Sequence, residues 1–294
     1  MLVESFLDYL RYERNASART VGEYRDDLKA FESFFKGLDS TLSWENLDTD
    51  VARECIVSMM EHGHKASSVH RRLSALRSMY RFLLRRGYVQ HDPVHHLSAP
   101  KKERVLPAFI REEDMKRLLE GPQMFEDSFE GRRDHLIIAV FYETGLRVSE
   151  LVGLNLDDFN LSMMTLKVTG KGNKQRIVPF GDGLLHLINI YIRERGCLGQ
   201  VDGQAFFVSL KGERVKVPAV RKMVKEKLGL VTMQQKRSPH VLRHTFATTM
   251  LNHHADLQSV KELLGHSRLS TTEIYTHTTF EELKKEYQHA HPRA

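Results

Sequence analysis

The sequence predicts a mainly α-helical protein with a small β-sheet, an α+β fold in two domains, and three observations carry that expectation. Over residues 1–98 apolar positions recur at steps of three and four with no strand-like alternation. One pair of strand-like segments, Met164 to Val168 and Gln175 to Phe180, flanks a glycine-containing turn in an otherwise helical second half. A length of 294 residues exceeds what one core usually organises, and domains commonly run to roughly 100–200 residues, so two cores are expected. With 41% hydrophobic and 28% charged residues, the composition is that of a folded chain and not of a disordered one.

The first domain, residues 1–98, reads as several helices punctuated by Gly37 and Gly63. Its charge is uneven: residues 1–61 hold 7 Lys/Arg against 13 Asp/Glu, whereas residues 62–91 hold 7 Lys/Arg and no acid. In that basic segment Ser67 is placed to cap a helix on which Val69, Leu73, Leu76, Tyr80 and Leu83 form the buried stripe. Arg71, Ser74, Ser78, Arg81 and Arg85 share another face of the same helix. Guanidiniums and hydroxyls without an intervening carboxylate suit a surface that follows DNA phosphates, and a helix of this kind fits the major groove. Taken alone, the same face reads more readily as a solvated basic surface.

Periodicity stops at Ser98-Ala99-Pro100-Lys101-Lys102-Glu103-Arg104-Val105-Leu106-Pro107, where charges lie between two prolines; residues 99–107 are expected to be a linker. The second domain, 108–294, opens with helical segments. Arg132 to Tyr142 is a helix with an apolar centre, Thr144-Gly145 ends it, and Val148 to Leu154 forms the next. The hairpin follows, with Thr169-Gly170-Lys171-Gly172-Asn173-Lys174 as its turn. Ala205 to Val208 is expected to be a further short strand, and the rest returns to helical spacing with breaks at Pro239 and Gly265.

Several function classes fall away. Cys55 and Cys197 are far apart and in no Cys-x-x-Cys pair, so neither a disulfide framework nor a cysteine zinc site is indicated, and a reducing cytoplasm fits. The N-terminal stretch is interrupted by Glu4 and Asp8, unlike a signal peptide, and no apolar run is long enough to span a bilayer. Gly170-Lys171-Gly172 lacks the preceding glycine and following Ser/Thr of a nucleotide phosphate loop. His240 and His244 lack the glutamate of a zinc protease motif, and His95-His96 and His253-His254 lack ligand spacing. No cofactor or metal is expected.

What remains is a cationic and imidazole set on separate segments: Arg147 after Thr144-Gly145-Leu146, Lys171 in the turn, His240 and Arg243 one helical turn apart, and His266 after Leu264-Gly265. Tyr275 follows nine residues later. The three-residue spacing points His240 and Arg243 the same way, so both can reach one small anion. Arginines suit the non-bridging oxygens of a phosphodiester, which carry more charge in the transition state than in the ground state.

These residues lie in motifs that resemble, in order and spacing, those of the tyrosine recombinase family. The motifs are Thr144-Gly145-Leu146-Arg147-Val148-Ser149-Glu150-Leu151; Gly170-Lys171-Gly172-Asn173-Lys174; His240-Val241-Leu242-Arg243-His244-Thr245-Phe246-Ala247-Thr248; Leu263-Leu264-Gly265-His266; and Tyr275-Thr276-His277. Phe6-Leu7-Asp8-Tyr9-Leu10 and Ser17-Ala18-Arg19-Thr20-Val21-Gly22-Glu23-Tyr24 resemble the start of the family's helical DNA-binding domain, so the similarity spans nearly the whole chain. Within the family the chain is most similar to the bacterial Xer recombinases.

The resemblance implies a two-domain DNA clamp, a SAM-like core-binding domain followed by a catalytic domain. It implies Tyr275 as nucleophile forming a 3′-phosphotyrosyl link, His240 assisting its deprotonation, and Arg147 and Arg243 clamping the phosphate. His266 would hydrogen-bond the phosphate and Lys171 would protonate the departing 5′-oxygen. Double-stranded DNA at a specific site is the implied substrate. The implied assembly is a homo- or hetero-tetramer with a related recombinase, acting in chromosome partition at cell division with the FtsK translocase as a partner. An integrase or invertase of a mobile element shares these motifs, and a type IB topoisomerase shares the nucleophile and the clamp.

Two details extend the comparison. His254 stands where the family commonly has glycine, at a position expected to need a left-handed backbone. Phe280, Leu283 and Tyr287 step along a C-terminal amphipathic helix; the resemblance implies docking on a neighbouring subunit, and the chain's own domain is the other surface able to cover that stripe.

Overall fold

The computed structural model describes residues 1–101, 108–265 and 277–294, without the side chains of Lys171 and residues 277–280. The chain divides into two compact units, Met1–Val105 and Leu106–Ala294.

Unit 1 is helical. Helix α1 (Leu2–Asp8) runs on as a π-helical turn, Tyr9–Glu13, and is followed by α2 (Ala18–Leu38), α3 (Thr49–Glu61) and α4 (Ala66–Arg85). Capping fixes two of the starts: Ser17 accepts the Thr20 N–H at 3.1 Å, and Asp48 accepts that of Val51 at 2.8 Å. Helix α4 begins one residue before Ser67, behind Lys65, so Ser67 is a first-turn residue and not the expected cap. The stripe Val69, Leu73, Leu76, Tyr80 and Leu83 is buried with Phe6, Phe31, Phe35 and Trp44 in one core. Tyr80 satisfies its hydroxyl inside that core by donating to the Trp44 carbonyl at 3.1 Å.

Unit 2 is built around α6 (Phe129–Thr144), whose central residues Leu136 to Phe141 are all buried. Helix α5 (Glu112–Glu120) precedes it and α7 (Val148–Gly153) follows. Strands β1 (Phe159–Asn160), β2 (Thr165–Thr169) and β3 (Gln175–Pro179) form an antiparallel sheet in the order β1-β2-β3. Helices α8 (Asp182–Gly196), α9 (Val217–Gly229), α10 (Pro239–Asn252), α11 (Leu257–Leu264) and α12 (His277–Ala290) complete the unit. Helix α6 packs against α8 and α10, with one apolar core running through the helices and the inner sheet face.

One expectation requires correction. Ala205 to Val208 is not a strand: Asn155 bridges Ala205 and Val208 bridges Arg214 singly, and Tyr191 engages Phe206 and Val208 through its hydroxyl in place of a continuous ladder. Of the two surfaces considered for the α12 stripe, the chain's own unit covers Leu283 and Tyr287 in this single chain: the helix packs on α10 and α11 with both, and Ala290, buried. The residues beyond it secure that seat. His291 donates from Nε2 to the Tyr142 carbonyl at 3.2 Å, and its Nδ1 accepts the Arg293 N–H at 3.2 Å. Arg293 pairs with Glu143 at 3.1 Å and Glu120 at 2.7 Å. Gly181 makes room for this tail, since a Cβ there would lie 2.0 Å from the Arg293 carbonyl oxygen.

Candidate active site

Helix α6 ends where its sequence says it should. Gly145 adopts φ 60° and closes the helix, its N–H bonding to the Phe141 carbonyl. Space as well as conformation demands glycine there, because a Cβ would come 2.6 Å from Phe246 Cδ1 and 2.8 Å from Leu264 Cδ2. The turn delivers Arg147 to the start of α7, half-buried, with its backbone N–H donating to Glu150 Oε2 and its Nη1 to Glu150 Oε1, both at 2.8 Å.

Helix α10 begins with Pro239 at its first position, where a missing N–H costs nothing. His240 is exposed, and Arg243, one turn on, is buried. Arg243 reaches back with Nη1 to the Gly145 carbonyl at 2.7 Å and with Nη2 to the Leu264 carbonyl at 2.6 Å. Two of the expected segments are thereby joined, since Arg243 holds the turn that carries Arg147. Burial, and after it the charge of Arg147, brings the Arg243 guanidinium down to about 10. An anion placed between them would relieve that crowding. His244, beside His240, is held below its ordinary range by burial and then by the charge of His240.

The hairpin contributes a residue that sequence reasoning missed. Strand β3 alternates, and its inward positions hold Arg176 and Val178, opposite Val168 and Leu166 of β2. Arg176 is 7% exposed and forks onto Glu150, with Nη1 to Oε1 at 3.1 Å and Nη2 to Oε2 at 2.9 Å. Its Nε donates to the Leu263 carbonyl at 2.7 Å. Burial alone would raise the Glu150 carboxyl, but the hydrogen bonds and charge of Arg176 and the hydrogen bonds from Arg147 outweigh it, and the group is held below the usual carboxylate range. Glu150 stood within the quoted motif without a role. A charge at an inward strand position was the available signal for Arg176.

The hairpin turn is closed by the Gly170 N–H donating to the Lys174 carbonyl at 2.8 Å, with Gly172 at φ 75° and Asn173 at φ 59°. Lys171 lies in this turn, and its side chain is outside the described residues. Helix α11 ends at Gly265, φ 66°, with the carbonyls of Leu263 and Leu264 taken by Arg176 and Arg243. Two guanidiniums thus cap the negative end of α11. His266 and Tyr275 lie outside the described residues. His254 adopts φ 64°, the left-handed backbone expected at the position where it stands.

In unit 1, Ser74, Arg71, Arg81 and Arg85 are exposed and Ser78 is half-buried, on the face of α4 opposite its buried stripe. The face is less free of acid than the local sequence suggested. Asp27 of α2, 3% exposed, pairs with Arg71 and Arg72. Arg85 donates to the Tyr9 hydroxyl at 3.2 Å, Arg81 bonds its own helix at the Arg77 carbonyl, and Ser74 bonds the His70 carbonyl. Among the described residues, no helix is long and apolar enough to cross a membrane, and no cluster of three or more His, Cys, Asp or Glu could hold a metal ion.

Comparison with known proteins gives a concordant set of similarities. Residues 108–282 match the phage integrase family, and residues 3–87 match the phage integrase N-terminal SAM-like domain. The chain is 42% identical to tyrosine recombinase XerC of Azotobacter vinelandii, over 99% of this chain and 96% of that protein. It is 35% identical to tyrosine recombinase XerD of Staphylococcus epidermidis, over 100% and 99%. Among solved structures, XerH site-specific recombinase bound to palindromic difH substrate, a post-cleavage complex, is similar with a TM-score of 0.73 and 25% identity, covering 96% of this chain and 83% of that one.

Proposed function

The chain belongs to the phage integrase family of tyrosine recombinases, and on that premise we propose that it recombines double-stranded DNA at a specific site, with Tyr275 as the nucleophile. The observation that carries the reading is the pairing of Arg147 and Arg243, which one hydrogen-bonded turn brings to a common place with Glu150 behind them. Those guanidiniums grip the non-bridging oxygens of the scissile phosphate. His240, exposed one turn from Arg243, takes the phenol proton, which at an ordinary pKa near ~10 is not lost unaided at neutral pH.

The Tyr275 oxygen forms a bond to phosphorus as the bond to the 5′-oxygen breaks, and Lys171 supplies a proton to that oxygen. His266 donates to the phosphate. The 3′-phosphotyrosyl link keeps the phosphodiester's bond energy, so the 5′-hydroxyl of another strand reverses the step without nucleotide hydrolysis.

Residues 1–98 would form the core-binding domain, with Arg71, Ser74, Ser78, Arg81 and Arg85 along the phosphates, residues 99–107 the linker, and residues 108–294 the catalytic domain. The XerC and XerD relatives favour resolution of chromosome dimers at cell division, in the cytoplasm, by a tetramer of this chain alone or with a related recombinase. FtsK as the controlling translocase rests on the family resemblance.

The test is incubation of the full chain with a nicked duplex of the candidate chromosomal site, which traps the cleaved state, followed by a denaturing gel. A covalent protein–DNA band is expected from the wild type and none from Tyr275→Phe. A site that binds but yields no band, or a band that survives Tyr275→Phe, sinks the mechanism.

A further inference from the structure

Arg176 lies at the junction of the segments that carry the cationic site. Its three guanidinium nitrogens are all engaged: two on Glu150 and one on the Leu263 carbonyl. Glu150 is used to capacity. Oε1 accepts from Arg147 Nη1 and Arg176 Nη1, and Oε2 accepts from the Arg147 backbone N–H and Arg176 Nη2. The neighbouring carbonyl on α11, Leu264, is held by Arg243. Arg147, β3 and the end of α11 are therefore linked through one planar side chain, and Arg243 meets the same helix end. Gly265 packs against that side chain, for a Cβ there would lie 3.2 Å from Arg176 Cδ.

We propose that Arg176 is a positioning residue for the reaction: it sets Arg147 through Glu150, and the end of α11 through Leu263, so that Arg147 and Arg243 can grip one phosphate. The proposal rests on the function proposed above. Lysine cannot replace the fork, because an ammonium is a point charge and cannot meet both carboxylate oxygens and a carbonyl in one plane. The arrangement also has an electrostatic role. Among the described residues, the charged groups around Glu150 are Arg147 on its own helix start, Arg176 from β3 and Arg243 from α10. Removing Arg176 leaves a buried carboxylate without its principal counter-charge, and such a group takes up a proton at higher pH. A protonated Glu150 releases one of its acceptor positions and with it the hold on Arg147.

The experiment is single-turnover cleavage of the nicked duplex by the full chain at saturating protein, with wild type, Arg176→Lys, Arg176→Met and the double variant Glu150→Gln/Arg176→Met. DNA affinity by gel shift is expected to stay within about threefold, while Arg176→Lys cleaves about 100-fold more slowly, the scale that a small misplacement of a positioned group costs. In Arg176→Met the acid limb of the cleavage profile moves up by about one pH unit or more, and the double variant lacks that limb.

A merely structural role would lower the folded fraction seen by circular dichroism and leave the pH profile in place. Arg176→Lys cleaving within about threefold of wild type, or Arg176→Met losing rate with an unmoved acid limb, overturns the inference. If Arg176→Met does not fold, the Arg176→Lys arm decides alone. Wild type that forms no adduct defeats the proposed function and this inference with it, whereas wild type that cleaves beside an unaffected Arg176→Lys defeats the inference only.

Discussion

Replacing Gly145 by alanine tests the turn on which the site depends. At φ 60° an added Cβ carries the left-handed penalty of roughly 1–2 kcal/mol. The Cβ would also stand 2.6 Å from Cδ1 of the rigid Phe246 ring and 2.8 Å from Cδ2 of Leu264, both buried, and overpacking of this kind costs about 1–3 kcal/mol. Reduced freedom of the unfolded chain returns about 0.4–1 kcal/mol. The expected net loss is about 1–5 kcal/mol. Gly172→Ala supplies the reference, because Gly172 has φ 75° with nothing within 4 Å of its Cβ, so it carries only the conformational cost.

Urea unfolding followed by far-ultraviolet circular dichroism reads the loss. Fluorescence of Trp44, the one tryptophan and a core residue of unit 1, should keep its midpoint in both variants. Cleavage should fall as well, since Phe246 lies on the helix of Arg243 and Leu264 supplies one of its acceptors. A loss under about 1 kcal/mol, or one equal to that of Gly172→Ala, refutes the packing argument.

Two buried groups, Glu143 and His291, give opposite pH slopes. Burial raises Glu143 to about 7 against the pull of Arg293; the folded chain keeps a proton that the unfolded chain releases, so this group's stabilising contribution is lost as pH rises from about 4.5 to 7, and Glu143→Gln should remove that fall from a plot of Tm against pH. Burial lowers His291 to about 3; between about 3 and 6.5 the unfolded chain holds the extra proton, stability rises with pH across that window, and His291→Gln should flatten the rise. The Tyr287 hydroxyl is buried with no hydrogen-bond partner among the described residues, so Tyr287→Phe should leave Tm unchanged or raise it, while Tyr287→Ala should cost about 3–5 kcal/mol. Arg81→Ala should weaken binding to specific and unrelated duplexes alike and reduce the slope of log affinity against log salt by about one; an unchanged slope would remove Arg81 from the phosphate-contacting face.

Where the sequence was legible, local rules sufficed. The end of α6 followed from Gly145 and the hairpin from β-branched residues on either side of two glycines, whereas the left-handed backbone at residue 254 followed from the family resemblance, which implies glycine there. The buried stripe of α4 followed from periodicity alone. What stayed hidden depends on residues distant in the chain. Asp27 meets Arg71 from 44 positions away, which no count of charge within residues 62–91 can register. The cover over α12 comes from α10 and α11 and is locked by pairing across 150 positions, between Glu143 and Arg293. Arg176 was overlooked because polar residues on a hairpin are usually outward; its inward place is set by register with Val168.

The pairing of Glu143 with Arg293 has a consequence for how the chain is made. The core of unit 1 draws on residues 6–97, so it can close while most of the polypeptide is still on the ribosome, in keeping with the usual N-terminal-first order. Glu143 has a different history: its arginine partner, Arg293, is made 150 positions later. Until residue 293 has emerged, α6 carries a buried-to-be carboxylate without the arginine it pairs with, and the surface meant for α12 stays open. Unit 2 therefore closes only once residue 293 has emerged, and nascent chains stalled before residue 293 should be held in a protease-sensitive, chaperone-binding form.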